Sequence, residues 1–531
     1  MKKTGWLLLT CLLILSVALA GCNNGTQSKT NESESGGTLI YGRGADSTAL
    51  DPAITTEGES FIVTQQIYET LVKYKTENTE IEPGLAEKWE VAEDGLTYTF
   101  HLRKDVTFHD GTDFNAEAVA TNFQRWARSK DAAKFSYYSS MFGGFEGDPG
   151  HVIKEVKAKD EHTVVFTLNR PQAPFLKNLA MSMFAIASPN ALEKYGDDFT
   201  KNPVGTGPFK FKSWKANDTI ELVKNEDYWQ AGLPKLDGVK FKVIADNSAR
   251  LNALMKGELD LMDGLNPSDL GQVKGNSKLQ LFERPSMNVG YFGFNTEKAP
   301  FDKKEVRQAI SHLINKEALI ANFYEGTAEP AKNPMPPSIS GYNDDIVDYE
   351  YSVEKAKALL KAAGLENGFE MDLWAMPVSR PYMPDGQKIA VAIQAALKEV
   401  NIKANIVTFD WGTYLEKVQA GEAPTFMLGW TGDNGDADNF LYTLLDKDNI
   451  GSNNYSRYSN DELHDILIEA QSNPDENKRN ELYKKAQEMI HEEAPWVPLA
   501  HSKPQLAGIK EIQGFFPHPT GSQAFTNVSI Q

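Results

Sequence analysis

The 531-residue chain has few of the residues from which disulfide frameworks and zinc sites are built. It contains two cysteines, Cys11 and Cys22, and nine histidines. There is no HExxH pattern and no pair of histidines four positions apart, so we expect no metal site and no metal cofactor. A GxSxG elbow and a glycine-rich phosphate loop are also missing, and no nucleophile lies in a recognisable pattern with a base. These absences argue against an enzyme, and no other cofactor is indicated.

Positive charge is also scarce. Lysine and arginine number 54 against 73 aspartate and glutamate residues, which gives a net charge of −19. An acidic surface repels the phosphates of nucleic acids, so we exclude DNA and RNA as partners.

Long apolar runs are confined to the N-terminus. Residues 6–20 are apolar and follow Lys2 and Lys3. The run is too short for a comfortable membrane span and ends in small residues, as secretory signals do. Its end, LAGC at residues 19–22, resembles the lipobox of bacterial lipoproteins, in which the cysteine becomes lipidated after cleavage. We therefore expect a signal peptide over residues 1–21 and a lipid anchor at Cys22; the alternative is an ordinary signal peptide with an incidental cysteine.

A polar segment follows the anchor. Residues 23–37 contain almost only Asn, Gly, Ser, Thr, Glu and Lys. Such a segment cannot bury enough apolar surface to order itself, so residues 22–37 are predicted to be a flexible tether. Cys22 is the only cysteine left once Cys11 leaves with the signal peptide, so no intramolecular disulfide is expected.

The remaining sequence predicts an α/β protein of two lobes. Residues 38–285 are rich in strands with a period of two and form lobe I, with an extra subdomain near residues 70–200. Residues 286–503 alternate helix and strand and form lobe II, and residues 504–531 return to lobe I. Two crossovers then join the lobes, and the cleft between them is the expected ligand site, with hinge closure as its motion.

Two loops of lobe II carry the main candidate residues. Arg380 follows the predicted strand 369–376, and Asp433 follows the predicted strand 426–430. Ligands of open α/β sheets lie beyond the carboxyl ends of the strands, so both side chains are predicted to face one crevice. Arg can hold a carboxylate in a planar fork and Asp can accept the protons of an ammonium group, which together suit a zwitterion. The alternative is that both residues are solvated or pair with each other.

The distance between the two charged groups would select the number of residues in the ligand. Two extended residues cover about 7 Å. With roughly 3 Å of contact at each end, a dipeptide needs protein groups about 13 Å apart.

A calcium loop at residues 433–438 is rejected, because a count from Asp436 places Leu441 and Lys447 where Gly and Glu are required.

Several motifs resemble family 5 of the solute-binding proteins of ABC importers, the peptide- and nickel-binding family. They are PGLAEKW at 83–89, YTFHLR at 98–103, NPVGTGP at 202–208, DYW at 227–229 and VRQA at 306–309. This resemblance implies the two-lobed fold of periplasmic binding proteins in its larger form, cluster C. It also implies an ABC permease and ATPase as partners, and we expect a monomer.

Lobe II resembles the dipeptide-binding subgroup through GYNDD at 341–345, LWAMP at 373–377, RPY at 380–382 and GWTGDNGD at 429–436. The resemblance implies that Asp433 holds the ligand ammonium and Arg380 its carboxylate. Trp430 and Tyr382 would line side-chain pockets, and Thr431 and Gly432 would pair with the ligand backbone. Further contacts are predicted from lobe I, at Thr56 and Gly58.

The sequence leaves alternatives to a short peptide as the ligand and to a binding protein as the class. FHDGTDF at 108–114 and YWQAGLPKL at 228–236 are more similar to the glutathione-binding subgroup. Glutathione, longer oligopeptides, a nickel chelate and heme therefore stay as alternative ligands beside short peptides, and an extracellular hydrolase is the alternative of another class.

Overall fold

A computed structural model describes residues 36–129, 131 and 134–531 of the chain. The predicted signal peptide, the lipid anchor at Cys22 and the tether up to residue 35 lie outside the described residues and stay predictions. Within the described ranges, no helix combines the length and the apolar composition that crossing a membrane requires.

Strands occur along the whole described chain. They are β1 (Thr38–Arg43), β2 (Val72–Tyr74), β3 (Ile81–Pro83), β4 (Ala86–Val91), β5 (Thr97–Leu102), β6 (Ile153–Asp160), β7 (Thr163–Leu168), β8 (Phe209–Lys215), β9 (Thr219–Lys224), β10 (Gly238–Val243), β11 (Leu261–Met262), β12 (Leu279–Glu283), β13 (Asn288–Phe294), β14 (Ala328–Pro330), β15 (Glu370–Trp374), β16 (Lys403–Val407), β17 (Thr425–Thr431), β18 (Trp496–Ser502), β19 (Gln505–Ile509), β20 (Ile512–Gln513) and β21 (Ser529–Ile530).

Helices are most frequent after β13. They are α1 (Gly58–Ile67), α2 (Ala116–Ala127), α3 (Ser136–Phe142), α4 (Phe175–Leu179), α5 (Pro189–Tyr195), α6 (Asn247–Met255), α7 (Leu270–Lys274), α8 (Lys304–Leu313), α9 (Lys316–Phe323), α10 (Val353–Ala362), α11 (Gly386–Lys398), α12 (Trp411–Gln419), α13 (Asp438–Leu445), α14 (Asp461–Ser472) and α15 (Glu476–Glu493). Short 3₁₀ helices lie at Ser182–Phe184, Gly196–Lys201, Pro267–Asp269 and Lys447–Asn449.

Two large mixed sheets organise these elements. A seven-stranded sheet has the order β12-β19-β11-β1-β10-β9-β8, and a six-stranded sheet has the order β14-β18-β13-β17-β15-β16. We call the parts built on them lobe I and lobe II. A separate four-stranded antiparallel sheet, β4-β5-β7-β6, packs its own aromatic core within lobe I.

Local sequence explains many of the element ends. Asn115 caps α2 by accepting a hydrogen bond from the Ala118 amide at 2.9 Å. Ser352 caps α10 in the same way, and the positive φ of Gly364 follows that helix.

The chain crosses twice between the two large sheets. One crossover joins β12 to β13, and the other joins β18 to β19. The crossovers contact each other, because the Arg284 amide donates to the Pro504 carbonyl at 2.8 Å. Two short adjacent segments therefore join the lobes. The hinge closure and the domain boundaries at 285/286 and 503/504, which the sequence predicted, stay predictions.

Candidate functional site

A cavity of about 1680 Å³ is lined by residues of lobe I and lobe II together. It is larger than the ~300–1,000 Å³ of most small-molecule pockets. Seven of the eight predicted contact residues lie on its wall: Thr56, Gly58, Arg380, Tyr382, Trp430, Thr431 and Asp433.

The lobe II sheet explains why the two charged loops face one cavity. Strands β15 and β17 are parallel neighbours, with Trp374 paired to Phe426. Their carboxyl ends therefore lie at the same edge of the sheet, where the loops to Arg380 and Asp433 begin.

Asp433 is half-buried, and its carboxylate accepts hydrogen bonds from a nearby residue of its own loop region and from a residue far away in the sequence. The Asn439 amide donates to Oδ2 at 3.1 Å, and the Tyr137 hydroxyl donates to Oδ1 at 3.3 Å. Burial raises the pKa of Asp433 to about 6, although both hydrogen bonds act to lower it. A carboxylate in this setting gains from a cationic partner, because the partner restores part of the lost solvation.

Arg380 is exposed, and its guanidinium contacts the Ser379 carbonyl at 3.4 Å. Its Cζ lies 5.4 Å from the centre of the Trp411 ring, within the range of a cation–π contact. Among the described residues, no carboxylate lies within 4 Å of this guanidinium. Arg380 and Asp433 therefore do not pair with each other, which was one alternative left open by the sequence.

Tyr382 anchors the Arg380 loop on the lobe II sheet. Its carbonyl accepts a hydrogen bond from the Tyr324 hydroxyl at 2.9 Å, and its side chain is 9% exposed. A methyl group at Gly290 would lie 2.3 Å from the Tyr382 carbonyl oxygen, and one at Gly429 would lie 2.2 Å from its ring. Gly290 and Gly429 face each other in the β13–β17 pair, and Tyr382 packs in the space that side chains at these two positions would fill. We call this pair of glycines the glycine seat.

Trp430 and Thr431 end β17 beside Asp433. The Trp430 indole donates to Oδ1 of Asn439 at 3.1 Å, which links its ring to the support of the carboxylate. Gly432 differs from the expectation: it is buried, it is not on the cavity wall, and its amide donates to the Met287 carbonyl at 2.8 Å. Its N–H is therefore engaged within the protein.

The predicted lobe I contacts lie at the start of α1. Thr56 is exposed, and Gly58 begins the helix in open space, since a methyl group added at this glycine would have no other atom within 4 Å. The start of α1 is therefore exposed on the cavity wall, and a contact of Thr56 or Gly58 with a ligand stays a prediction.

The sequence did not indicate three further contacts of the Asp433 loop. Tyr137 binds the carboxylate, the Tyr74 hydroxyl lies 3.5 Å from the Asp433 carbonyl, and Lys177 donates to the Gly435 carbonyl at 2.8 Å. Nothing in the local pattern at these positions distinguishes them from other surface residues.

One group of side chains in the described ranges brings together possible metal ligands. Atoms of Asp446, Asp448 and His464 lie within 4.8 Å of one another. His464 Nδ1 is 3.1 Å from both carboxylate oxygens of Asp446, which is the geometry of a hydrogen-bonded pair. Burial raises the pKa of Asp446. None of the three lines the large cavity, and we assign the cluster a structural role at the end of α13.

Comparisons with known proteins agree on one family. A sequence profile of the bacterial extracellular solute-binding proteins, family 5 Middle, matches residues 80–452. The dipeptide-binding protein of Escherichia coli (strain K12) is 41% identical over 100% of this chain and 99% of its own length. Heme-binding protein A of Haemophilus influenzae is 38% identical over 98% of each chain.

A solved structure has the same architecture. The ABC transporter-associated periplasmic binding protein DppA of Helicobacter pylori, in complex with the peptide STSA, superposes with a TM-score of 0.83. It is 38% identical and the match covers 94% of this chain and 98% of the other. This similarity confirms the prediction of a two-lobed α/β fold of the periplasmic-binding-protein type.

Proposed function

The chain belongs to the bacterial extracellular solute-binding proteins of family 5, and we propose that its solute is a short peptide with free termini, a dipeptide first of all. The names of the similar proteins support this choice, since one is a dipeptide-binding protein and another was solved with the peptide STSA. Membership of a solute-binding family also favours a receptor over the hydrolase considered from the sequence.

One observation carries the proposal. A half-buried carboxylate, Asp433, and a guanidinium without a carboxylate partner among the described residues, Arg380, lie on the wall of one cavity at the ends of neighbouring parallel strands. The carboxylate would bind the peptide ammonium, and the guanidinium would bind the peptide carboxylate in its planar fork. Each charge-assisted hydrogen bond contributes about 1.5–3 kcal/mol.

The peptide backbone would extend the lobe II sheet. Thr431 ends β17 on the cavity wall, next to Asp433, and offers backbone groups in the manner of an added strand. Trp430 and Tyr382 would then contact side chains of the ligand. Backbone and terminal contacts of this kind are independent of side-chain identity, so we expect broad selectivity among dipeptides.

Delivery to an ABC permease and its ATPase completes the proposed role. The protein would act as a monomer, held on the extracytoplasmic face of the membrane by a lipid on Cys22. Replacing Cys22 with Ser should move the protein from the membrane fraction to the soluble fraction. Retention of this variant in the membrane fraction would contradict the lipid anchor.

Calorimetric titration of purified protein with di-, tri- and pentapeptides tests the ligand class. We expect the dipeptide to bind most tightly, and Asp433→Asn and Arg380→Gln to weaken it by about tenfold or more each, the equivalent of about 1.4 kcal/mol. Asp475→Asn and Arg128→Gln, at exposed positions outside the cavity wall, are the matched controls. Equal affinity for the three lengths, or full affinity in Asp433→Asn, would defeat the proposal.

A larger ligand is the second candidate, and the cavity volume of about 1680 Å³ favours it. The similarity to heme-binding protein A points the same way. Glutathione, a nickel chelate and heme should each be competed against a dipeptide in one calorimetric series. Displacement of the dipeptide by only one of them, at lower concentration, would replace the peptide assignment with that ligand.

A further inference from the structure

Arg284 lies on the first crossover between the lobes and on the wall of the same cavity as Asp433. Its backbone is fixed, because its amide donates to the Pro504 carbonyl of the second crossover at 2.8 Å. Its guanidinium, in contrast, makes no hydrogen bond with any described residue, and its Nε is buried without a partner. No carboxylate of the described ranges lies within 4 Å of it.

The neighbouring charges are already engaged elsewhere. Asp263 is the carboxylate whose field reaches Arg284, but it lies 4.0 Å from Nε of Arg250. Arg43 has its own partner, Asp46, at 2.9 Å. Tyr41 is neutral, since burial raises its pKa well above the ordinary value. Within the part of the chain that the structure describes, Arg284 is therefore a cation inside a cavity without a counter-charge of its own.

Glu59, another acid on the cavity wall, does not change that balance. Burial, with the field of Asp263, raises the pKa of Glu59 to about 8, so this carboxyl is mostly protonated at neutral pH. Burial likewise lowers the pKa of the Arg284 guanidinium, while Asp263 and Tyr41 act to raise it. A partly buried charge without a partner is costly, and a bound anion is the partner that offsets this cost best.

Two contacts and one electrostatic interaction connect Arg284 with the proposed peptide site. The Tyr74 hydroxyl lies 3.5 Å from the Asp433 carbonyl, and the Tyr74 ring stacks on His518 with 5.7 Å between ring centres. His518 in turn lies within the field of Arg284, which acts to lower the pKa of this imidazole. All four residues line the one cavity.

We propose that Arg284 forms an anion subsite at the crossover end of the cavity, and that the preferred ligands carry an acidic group besides the carboxylate held by Arg380. This proposal rests on the proposed peptide-binding function and narrows its ligand class to acidic short peptides and their conjugates. The planar fork of Arg suits a carboxylate, because two parallel N–H donors meet two oxygens. A neutral carbonyl would use the same donors but would leave the charge without a partner.

Peptides that differ only in charge test the subsite. Tetra-alanine peptides with a single Glu or Gln at each of the four positions should be titrated into the wild-type protein, Arg284→Gln and Arg128→Gln, where Arg128 is an exposed residue paired with Glu146. At one position or more, we expect the Glu peptide to bind about tenfold more tightly than the Gln peptide in the wild type and in Arg128→Gln. In Arg284→Gln, the Glu and Gln peptides should bind equally, and the Gln peptides should keep their wild-type affinity.

Three results would overturn the subsite. The first is that the wild type binds Glu and Gln peptides equally at every position, and the second is that a preference for Glu survives in Arg284→Gln. The third is that Arg284→Gln loses affinity equally for Glu and Gln peptides, which would indicate that Arg284 only positions the crossover. Arg284→Lys, which keeps the charge and loses the fork, should retain a reduced preference if Arg284→Gln does not fold. Failure of unsubstituted di- to tetra-alanine to bind the wild type would instead refute the proposed function itself.

Discussion

The hydroxyl of Tyr137 donates a hydrogen bond of 3.3 Å to Oδ1 of Asp433, across 296 positions of the sequence. Tyr137 belongs to α3 of lobe I, whereas Asp433 follows β17 of lobe II. The carboxylate proposed to bind the ligand ammonium thus also links the lobes. Because burial raises the pKa of Asp433 to about 6, its charge depends on pH near neutrality.

Peptide affinity should depend on pH through Asp433. The free carboxyl has a pKa of about 6, and a bound ammonium would lower this pKa, so the complex holds fewer protons than the free protein below pH 6. Affinity therefore approaches its maximum about one unit above pH 6 and falls by up to about tenfold per unit as the pH drops below 6. Calorimetry from pH 4.5 to pH 8, with Asp433→Asn as the variant lacking this titration, measures the effect. A flat profile between pH 5 and pH 7 in the wild type would contradict it.

Removal of the Tyr137 hydroxyl should shift this profile upward. Tyr137→Phe deletes a donor that favours the charged form of Asp433, so the pKa of that carboxyl rises further. We expect the midpoint of binding to move to higher pH, with affinity above pH 8 less affected than affinity at pH 6. Tyr351→Phe, at an exposed tyrosine, is the control and should keep the wild-type midpoint. An unchanged midpoint in Tyr137→Phe would show that the hydrogen bond has no influence on the site.

The glycine seat under Tyr382 allows a test of how the Arg380 loop is held. A methyl group at Gly429 would lie 2.2 Å from the Tyr382 ring and 2.5 Å from the Val289 carbonyl, so Gly429→Ala must move the ring and the carbonyl away from this position. Overpacking of this kind costs about 1–3 kcal/mol of unfolding free energy. We expect weaker dipeptide binding as well, because the Arg380 loop moves with Tyr382.

Gly271→Ala is the matched control for this change. Gly271 lies in α7, with no other atom within 4 Å of an added methyl group and without a positive φ. Urea unfolding and calorimetry of both variants separate the two effects. If Gly429→Ala lost stability but bound dipeptides normally, the seat would not position Arg380.

The fold was largely predictable, because its elements have strong local signals. The predicted strands 369–376 and 426–430 correspond to β15 and β17, with ends that differ by one or two residues. The loops that follow these strands were predicted to face one crevice, and in the structure β15 and β17 are parallel neighbours. The assignments of signal peptide, anchor and domain boundaries stay predictions.

Most of the candidate residues that the sequence indicated belong to lobe II, and only Thr56 and Gly58 were indicated on lobe I. Arg380 and Asp433 follow strands whose ends a parallel sheet brings together, which a sequence can indicate. Tyr137, Tyr74 and Arg284 reach the cavity through the packing of separate lobes, and no local periodicity records such contacts. Gly432 is a residue that the sequence indicated but the structure uses differently. Its motif indicated a backbone contact with the ligand, whereas its amide donates a hydrogen bond to the Met287 carbonyl.

A buried ion pair behind the ligand loop supports the last prediction. Arg479 Nη2 lies 2.8 Å from Oδ1 of Asp436, and Lys177 lies 3.8 Å from Oδ2. Burial acts to raise the pKa of Asp436, but Arg479 and Lys177 hold it below its ordinary value. Arg479→Met would leave this carboxylate with the more distant lysine as its cation, beside hydrogen bonds from the Asp438 amide and the Tyr483 hydroxyl. We therefore expect a loss of about 3–5 kcal/mol in unfolding free energy at pH 7.

The loss in Arg479→Met should depend on pH in a defined direction. In the wild type the lowered pKa of Asp436 contributes stability that is present above the ordinary pKa of Asp and is lost as the pH falls through the folded value. In the variant, burial raises that pKa, so protonation relieves the unpaired charge and the difference between the proteins shrinks toward pH 5. Lys478→Met, which removes an exposed partner of Glu469 at the neighbouring position, should change stability by less than about 0.5 kcal/mol. Urea unfolding of the wild type and both variants at pH 5 and pH 7 measures these differences in unfolding free energy. An equal loss of unfolding free energy in Arg479→Met and Lys478→Met would mean that the Asp436 pair contributes no more than a surface ion pair.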